Sequence, residues 1–269
     1  MTLALHGVGY RYAGASTESI TGVSLEMRDG EVVGLGGASE AGKSTMCLVL
    51  SGLAPRAIKG VLSGTLLVDG EDVTAWPMHR MAEVVGTIFQ DPTTQLSGVC
   101  ATVFEEVCFG SMNLGLARDK VIDRTYAALD AMGIGELAAR DPSRLSGGQM
   151  QLVAIAGLLA MRPRHLVLDE PTAQLDPAGT VLVADALARL AAEGASILIA
   201  EQKTDMLARI CSRVLILESG RIVLDGAAED VLADARLDAL GVPAPSAVRL
   251  RRALDAAGLA TDLPADLVA

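Results

Sequence analysis

Residues 37–44 read Gly-Ala-Ser-Glu-Ala-Gly-Lys-Ser, which matches the pattern GxxxxGK[ST]. A short β run, Glu31–Gly36, precedes this loop, and a helix is predicted from Gly42 to about Leu53. In a strand–loop–helix setting, the backbone N–H groups of the loop and of the helix start face a phosphate chain. A glycine-rich turn that matched the pattern by chance would rarely have both a strand before it and a helix after it. The loop residues predicted to cradle the phosphates of a nucleotide are Gly37, Ser39, Ala41 and Gly42.

The polar side chains of this loop have separate expected roles. Lys43 is expected to reach the β- and γ-phosphate oxygens, the Ser44 hydroxyl to ligate Mg²⁺, and Thr45 to add a second hydroxyl. Glu40 is unusual here, because a carboxylate about 4 Å from a phosphate opposes it by roughly 1–4 kcal/mol. We therefore expect the Glu40 side chain to point outward, to solvent or across a dimer seam.

A pair of carboxylates ends the next informative stretch, Leu166–Glu170. Asp169 lies at the end of an apolar strand and is placed to hold Mg²⁺ through water. Glu170 then becomes the candidate general base for the attacking water. A strand followed by Asp-Glu is common in proteins and is weak evidence alone. Downstream of a phosphate loop, the pair indicates a site for ATP hydrolysis.

Residues 145–149 read Leu-Ser-Gly-Gly-Gln and open a predicted helix, Gly148–Met161. A serine and two glycines at a helix start form a second anion-binding nest. One bound ATP does not need two such nests in one chain. We therefore expect the second nest to serve an ATP held by another chain, which predicts a head-to-tail dimer. The residues predicted to contact that ATP are Ser146, Gly147, Gly148 and Gln149.

Over about residues 1–235 the chain resembles the ATP-binding cassette (ABC) ATPases, through the phosphate loop, the Asp169–Glu170 pair and the LSGGQ segment. The resemblance implies an α/β fold: a nucleotide-binding domain with a P-loop core sheet, an antiparallel β subdomain and a helical subdomain inserted at about residues 91–163. Strands predicted at Glu31–Gly36, Val84–Gln90, His165–Leu168 and Ser196–Ala200 alternate with helical stretches, which independently favours a mostly parallel sheet covered by helices. The segments Val214–Glu218 and Arg221–Leu224 are predicted to form a hairpin around Ser219-Gly220. Residues 236–269 are expected to form a helical extension.

The same resemblance assigns roles to three further residues and implies ATP and Mg²⁺ as ligands. Tyr12 looks like the aromatic residue that stacks on adenine, although an ordinary strand tyrosine is the alternative. Gln90 matches the glutamine that contacts Mg²⁺ and the attacking water and couples to a transmembrane partner. Asp176 matches the residue at the dimer seam.

One position departs from the family pattern. The family places a histidine after the strand that corresponds to Ser196–Ala200, where it senses the γ-phosphate, and Gln202 occupies that position here. Glutamine donates a hydrogen bond but carries no positive charge and shuttles no proton. We expect this site to bind ATP with reduced hydrolysis, in an asymmetric dimer with a different ATPase.

The segments Phe89–Leu96 and Thr102–Gly110 resemble the Q-loop region of energy-coupling-factor importers, which take up vitamins and transition-metal ions, and Leu240–Pro243 looks like their C-terminal extension. The resemblance implies a transmembrane T component bound to this face, a substrate-binding S component, and a second ABC ATPase that is a paralogue or the same chain. It implies ATP hydrolysis that energises import through dimer closure at the cytoplasmic face of the cell membrane. Glu105 and Glu106 could instead form an ordinary solvated helix face.

The composition bears on the partners of this protein and on how it would associate with a membrane. The net charge of -11 argues against a nucleic-acid partner and against a polybasic membrane patch. The apolar runs are shorter than the ~20 residues of a membrane span, and Met1–Tyr10 lacks a signal-peptide pattern. Membrane association is therefore expected through a protein partner. The four cysteines show no CxxC spacing and are expected to be small buried residues.

The main alternative is a soluble, non-transport ABC ATPase that acts on a macromolecular complex. Chromosome-type members of the family insert long coiled coils between the Q-loop and the LSGGQ segment. The interval from Gln90 to Ser146 lacks the sustained heptad repeats that a coiled coil needs. Ribosome-type members carry two cassettes and a basic linker, whereas this acidic chain has one phosphate loop. A P-loop kinase would not have the LSGGQ segment.

Overall fold

A computed structural model describes residues 2–259 of the chain. The strands within that range are β1 (Thr2–Tyr12), β2 (Ile20–Arg28), β3 (Val32–Gly37), β4 (Gly60–Val68), β5 (Glu71–Asp72), β6 (Val85–Ile88), β7 (His165–Asp169), β8 (Ser196–Ala200), β9 (Arg213–Glu218) and β10 (Arg221–Ala227). The α-helices are α1 (Lys43–Leu50), α2 (Leu53–Arg56), α3 (Met78–Val84), α4 (Val103–Asn113), α5 (Arg118–Ala131), α6 (Gly147–Met161), α7 (Pro177–Ala192), α8 (Thr204–Ile210), α9 (Ala228–Leu232) and α10 (Ser246–Ala256).

The strands form two sheets. The larger has the order β10-β9-β3-β8-β7-β6, in which β9, β3, β8, β7 and β6 are parallel and β10 returns antiparallel to β9. The smaller sheet is antiparallel, with the order β2-β1-β4-β5. Every residue of β3, β7 and β8 is buried, as expected for parallel strands covered on both faces. The predicted α/β fold with an antiparallel subdomain and inserted helices is confirmed.

Successive side chains of the central strands point to opposite faces of the larger sheet, and each face packs into its own hydrophobic core. Val167 and Leu198 face the core that α1 and the antiparallel sheet share. Leu166, Leu168 and Ile197 face the opposite side, where α5, α6 and α7 pack. Helix α1 therefore lies between the two sheets, and its first residue follows directly from the phosphate loop.

Helices α4, α5 and α6 pack on one another between β6 and β7, inside the interval predicted for the helical insertion. Both α4 and α6 begin with a capping box, in which an N-cap hydroxyl and a residue three positions later bond each other's backbone N–H groups. These boxes use Thr102 with Glu105 and Ser146 with Gln149. Glu105 and the next residue, Glu106, thus hold local structure: Glu106 accepts hydrogen bonds from the Ser97 backbone N–H (2.5 Å) and hydroxyl (2.8 Å). The solvated-face alternative is wrong for Glu106.

Several predicted boundaries were wrong. The helix predicted to about Leu53 ends at Leu50, because Gly52 takes a left-handed conformation with φ 71°. The strand predicted over Val84–Gln90 is shorter, because α3 occupies the chain up to Val84 and the Q-loop begins after Ile88. Pattern reading missed α3 altogether.

The C-terminal part of the described chain contains a 3₁₀ turn, Ala235–Leu237, and the helix α10. The part of the predicted extension over 260–269 lies outside the described residues. Within residues 2–259, no helix combines the length and apolar character needed to cross a membrane. All four cysteines are free, and three of them are buried.

Candidate nucleotide-binding site

The phosphate loop is closed by glycines that the surrounding backbone does not allow to carry side chains. Gly42 precedes α1 with φ 107°, and a Cβ atom there would lie 2.7 Å from the Ser19 carbonyl oxygen. A Cβ atom on Gly37 would lie 2.6 Å from the Leu217 carbonyl oxygen. Both positions require glycine for conformation and for space. The loop between them turns through an Ala41 N–H bond to the Ala38 carbonyl (3.2 Å) and leaves the start of α1 open.

Lys43 places a buried positive charge inside this loop. Its residue surface is 6% exposed, and its Nζ donates to the carbonyl oxygens of Gly37 (2.8 Å) and Ala38 (2.9 Å). A buried ammonium group is costly unless it is paired with opposite charge or well hydrogen-bonded. Carbonyl dipoles provide part of that compensation, and an anion at the start of α1 would provide the rest. The loop therefore fits a phosphate group.

Asp169 ends β7 beside the hydroxyl of Ser44. Burial raises the pKa of the Asp169 carboxyl above its usual range, and the hydrogen bond with Ser44 counteracts part of that rise. The negative charge of Glu170 raises this pKa further, while Lys43 lowers it. A buried carboxylate next to a hydroxyl supplies oxygen ligands of the kind Mg²⁺ prefers. Among residues 2–259 no cluster of three or more His, Cys, Asp or Glu side chains could hold a metal alone. An ion here would take further ligands from phosphate and water.

Glu170 lies between two glutamine amides. Gln90 Nε2 donates to Glu170 Oε2 (2.9 Å), and Gln202 Nε2 donates to Glu170 Oε1 (2.5 Å). The three residues come from the ends of the adjacent strands β6, β7 and β8, whose carboxyl ends share one edge of the sheet. The carboxylate is therefore held in one orientation by two neutral donors.

Most of these groups line one open cleft of about 760 Å³, whereas Gly37, Ala41 and Asp169 are not part of its lining. The predicted residues that line it are Ser39, Gly42, Lys43, Ser44, Thr45, Gln90, Glu170 and Gln202. Glu40 also lines the cleft and is exposed, and its place at a dimer seam stays a prediction.

Two segments of the cleft wall were missed from the sequence: 17–19 and 219–220. The second is the β9–β10 hairpin turn, where the Gly220 N–H donates to the Ala41 carbonyl (2.9 Å) and so closes the hairpin onto the phosphate loop. A Ser-Gly turn between two strands predicted the hairpin but carried no signal of this tertiary contact.

Tyr12 lies next to the cleft but is not among the residues that line it. Its hydroxyl is hydrogen-bonded to the Thr45 hydroxyl (3.0 Å), and its ring meets Tyr10 edge-on with centroids 5.0 Å apart. The ring is half-buried and held from two sides. Stacking of adenine on Tyr12 stays a prediction.

The LSGGQ segment does not line the cleft of its own chain. Ser146 is the N-cap of α6 and accepts from the Gln149 N–H (3.3 Å), while the Gln174 side chain lies against Gly147. Asp176 caps α7 by accepting from the Gly179 N–H (2.7 Å). A role for these residues at a partner's ATP stays a prediction, and what the structure adds is that both segments are preformed by helix caps.

A phosphate loop at the end of a central parallel strand, facing a carboxylate pair on the neighbouring strand ends, defines a P-loop nucleoside-triphosphatase domain. The family described as "ABC transporter" matches residues 20–173. The chain therefore belongs to the ABC transporter ATPases and is the ATP-binding subunit of a transporter.

Relatives and solved structures agree with this assignment. A putative ABC transporter ATP-binding protein of Pyrococcus horikoshii is 38% identical over 96% of this chain and 90% of its own length. The energy-coupling factor transporter ATP-binding protein EcfA of Methanothermobacter thermautotrophicus is 35% identical over 87% of this chain and 74% of its own. The structure of cbiO1 from Clostridium perfringens, described as part of the ABC transporter complex cbiONQ, superposes with a TM-score of 0.75 at 32% identity, over 93% of this chain and 98% of that one.

Proposed function

We propose that this chain is an ATP-hydrolysing subunit of an energy-coupling-factor-type importer for a vitamin or a transition-metal ion. The names of the archaeal EcfA relative and of the cbiONQ subunit support the transporter type. The observation that carries the proposal is a mainly apolar groove of about 350 Å³ next to the Q-loop. It is lined by residues of β6, the Q-loop, α4 and α6, and so includes parts of both importer-like segments recognised in the sequence.

The Q-loop wall of this groove is fixed by a single side chain. Gln95 Oε1 accepts from the Phe89 N–H (3.0 Å), and Gln95 Nε2 donates to the Thr87 carbonyl (2.8 Å). Gln90 lies inside the loop that these bonds close, and its amide reaches Glu170 in the nucleotide cleft. A partner helix in the groove would therefore press on the same loop that touches the catalytic carboxylate. This is a direct mechanical route between membrane partner and ATP.

The proposed mechanism follows from the cleft. Lys43 and the loop N–H groups bind the phosphates, and Glu170 accepts a proton from the water that attacks the γ-phosphate. Bound Mg²⁺, held by Ser44, Asp169 and Gln90, would supply charge neutralisation on the β- and γ-phosphates. Gln90 and Gln202 each occupy one acceptor site on a different oxygen of Glu170. A carboxylate has about four such sites, so the attacking water can hydrogen-bond to Glu170 while both amides hold its orientation.

The complete unit is proposed to be a dimer at the cytoplasmic face of the membrane, with T and S components as partners. Residues 146–149 of this chain complete the ATP of a second ABC ATPase, and that subunit's corresponding segment completes the ATP held here. Gln202 is the reason to expect unequal sites, because its neutral amide replaces the histidine of the family pattern.

The test is co-purification of a membrane protein with tagged chain from detergent-solubilised membranes. Phe109, which lines the groove on α4 and is 39% exposed, is replaced by arginine to block docking. The matched control is Val223→Arg: Val223 is 38% exposed on β10, at the opposite edge of the core sheet from β6. We expect the wild type and Val223→Arg to recover the same membrane protein and Phe109→Arg to lose it. Recovery of no membrane protein by the wild type would contradict the proposed importer complex.

A further inference from the structure

Glu201 is a buried carboxylate that the roles described so far do not use. It follows β8 directly, precedes Gln202, and is 2% exposed. Its Oε1 accepts hydrogen bonds from the backbone N–H groups of Gln202 (2.9 Å) and Lys203 (3.1 Å). The side chain thus folds back onto the next two residues and shapes the turn that presents Gln202 to Glu170.

The other oxygen of Glu201 reaches the turn that follows the neighbouring strand β7. Thr172, which is fully buried, donates its hydroxyl to Glu201 Oε2 (2.6 Å), and Lys203 Nζ donates to the Thr172 carbonyl (2.7 Å). Thr172 lies two residues after Glu170. The turn after β7 and the turn after β8 are therefore joined at two points, and we call Glu201, Thr172 and Lys203 the clasp.

The clasp lies where the backbone is strained. Glu170 has φ 49°, a left-handed conformation that non-glycine residues rarely adopt. Two backbone bonds hold this turn: the Glu170 N–H donates to the Ala200 carbonyl (2.8 Å), and the Ala173 N–H donates to the Glu170 carbonyl (3.1 Å). Thr172 lies between the ends of the second bond and is held by the buried carboxylate. Releasing it would let Glu170 relax toward an ordinary conformation and move its carboxylate away from Gln202.

We propose that Glu201 and Thr172 are positioning residues for ATP hydrolysis, which act by fixing Glu170 and Gln202 relative to each other. The inference rests on the proposed hydrolysis at Glu170. Burying a carboxylate is costly unless its hydrogen bonds are made, and Glu201 makes three across two turns. Its negative charge also acts on the metal-binding carboxyl, since it contributes, after burial and Glu170, to the raised pKa of Asp169.

The test removes one hydroxyl from the clasp. Thr172→Val keeps the side-chain shape and deletes the bond to Glu201, whereas Thr172→Ser keeps the hydroxyl. Thr125→Val is the matched control, because Thr125 is also fully buried and donates to a carbonyl (Val121, 2.7 Å) within α5. Steady-state hydrolysis of MgATP gives kcat and the half-saturating concentration. We expect Thr172→Val to lower kcat by about tenfold to a hundredfold at unchanged half-saturation, as small misplacements of catalytic groups do.

Thr172→Ser should restore kcat, and Thr125→Val should leave it unchanged. A second readout needs no nucleotide: amide exchange of Gln202 and Lys203 should be slow in the wild type and faster in Thr172→Val. Wild-type kcat in Thr172→Val, or a parallel loss of kcat and nucleotide affinity, would overturn the proposal, as would unchanged exchange. If the wild type neither binds nor hydrolyses MgATP, the proposed function fails, and the exchange measurement still tests the clasp.

Discussion

Replacing Gln202 by histidine is the sharpest test of why this site is expected to hydrolyse ATP slowly. Gln202 Nε2 lies 2.5 Å from Glu170 Oε1, so a histidine at this position would bring an imidazole N–H to the same carboxylate. The amide is neutral, whereas an imidazolium carries a full positive charge, which would stabilise the negative charge on the γ-phosphate oxygens during hydrolysis. We therefore expect Gln202→His to raise the rate of hydrolysis at this site.

The size of the gain depends on the local dielectric. An imidazolium and a phosphate oxygen about 4 Å apart attract each other by roughly 1 kcal/mol in water and by roughly 4 kcal/mol at an effective dielectric of 20. Gln202 is exposed in the open cleft, so the lower figure applies. A change of about 1 kcal/mol in the barrier corresponds to a rate increase of about fivefold.

The assay is single-turnover hydrolysis of MgATP as a function of pH. An unperturbed imidazole has a pKa of about 6.5, and it carries its charge below that value. The gain from Gln202→His should therefore be larger at pH 6 than at pH 8, and the wild type should lack this titration. Gln202→Asn, which keeps a neutral amide, is the control and should not raise the rate at any pH. A rate for Gln202→His equal to that of the wild type at every pH would refute the reasoning.

Three further changes probe the cleft and the packing around it. Glu170→Gln should lower kcat by about 10²–10⁴-fold, the usual contribution of a general base, while nucleotide binding, measured with labelled ATP, persists. Burial raises the pKa of Asp169, so the folded protein binds this proton more tightly than the unfolded chain does. The free energy of unfolding is therefore highest while Asp169 is protonated, and it falls as the pH rises through the raised pKa. Asp169→Asn should therefore raise the melting temperature of the metal-free protein at pH 7, with the difference vanishing below pH ~4, while Mg²⁺-dependent ATP binding weakens. Arg213 is 28% exposed and pairs with Asp225 (2.6 Å) and Glu31 (3.6 Å); Arg213→Met should cost about 1 kcal/mol, which lowers the melting temperature by roughly 2–4 °C, and less at high salt.

The sequence by itself determined the family, the phosphate loop, the carboxylate pair and the capped LSGGQ helix. Each of these is a local pattern, in which residue types at fixed spacing dictate a turn or a helix start. Gly37 and Gly42 are examples, because the pattern itself requires glycine at both positions, although the contacts with Leu217 and Ser19 that exclude a side chain there are tertiary. The order of strands and helices could be predicted for the same reason, although boundaries shifted where α3 and the Q-loop met β6.

Only the tertiary structure decided which distant residues meet. Glu170 receives amides from Gln90 and Gln202, and Thr172 donates to Glu201, because parallel strands place their carboxyl ends at one edge of the sheet. Strand order and side-chain burial arise from packing across the whole domain. No local spacing encodes them. The residues around Glu201 therefore do not indicate that this glutamate is buried against Thr172, in the turn after the neighbouring strand.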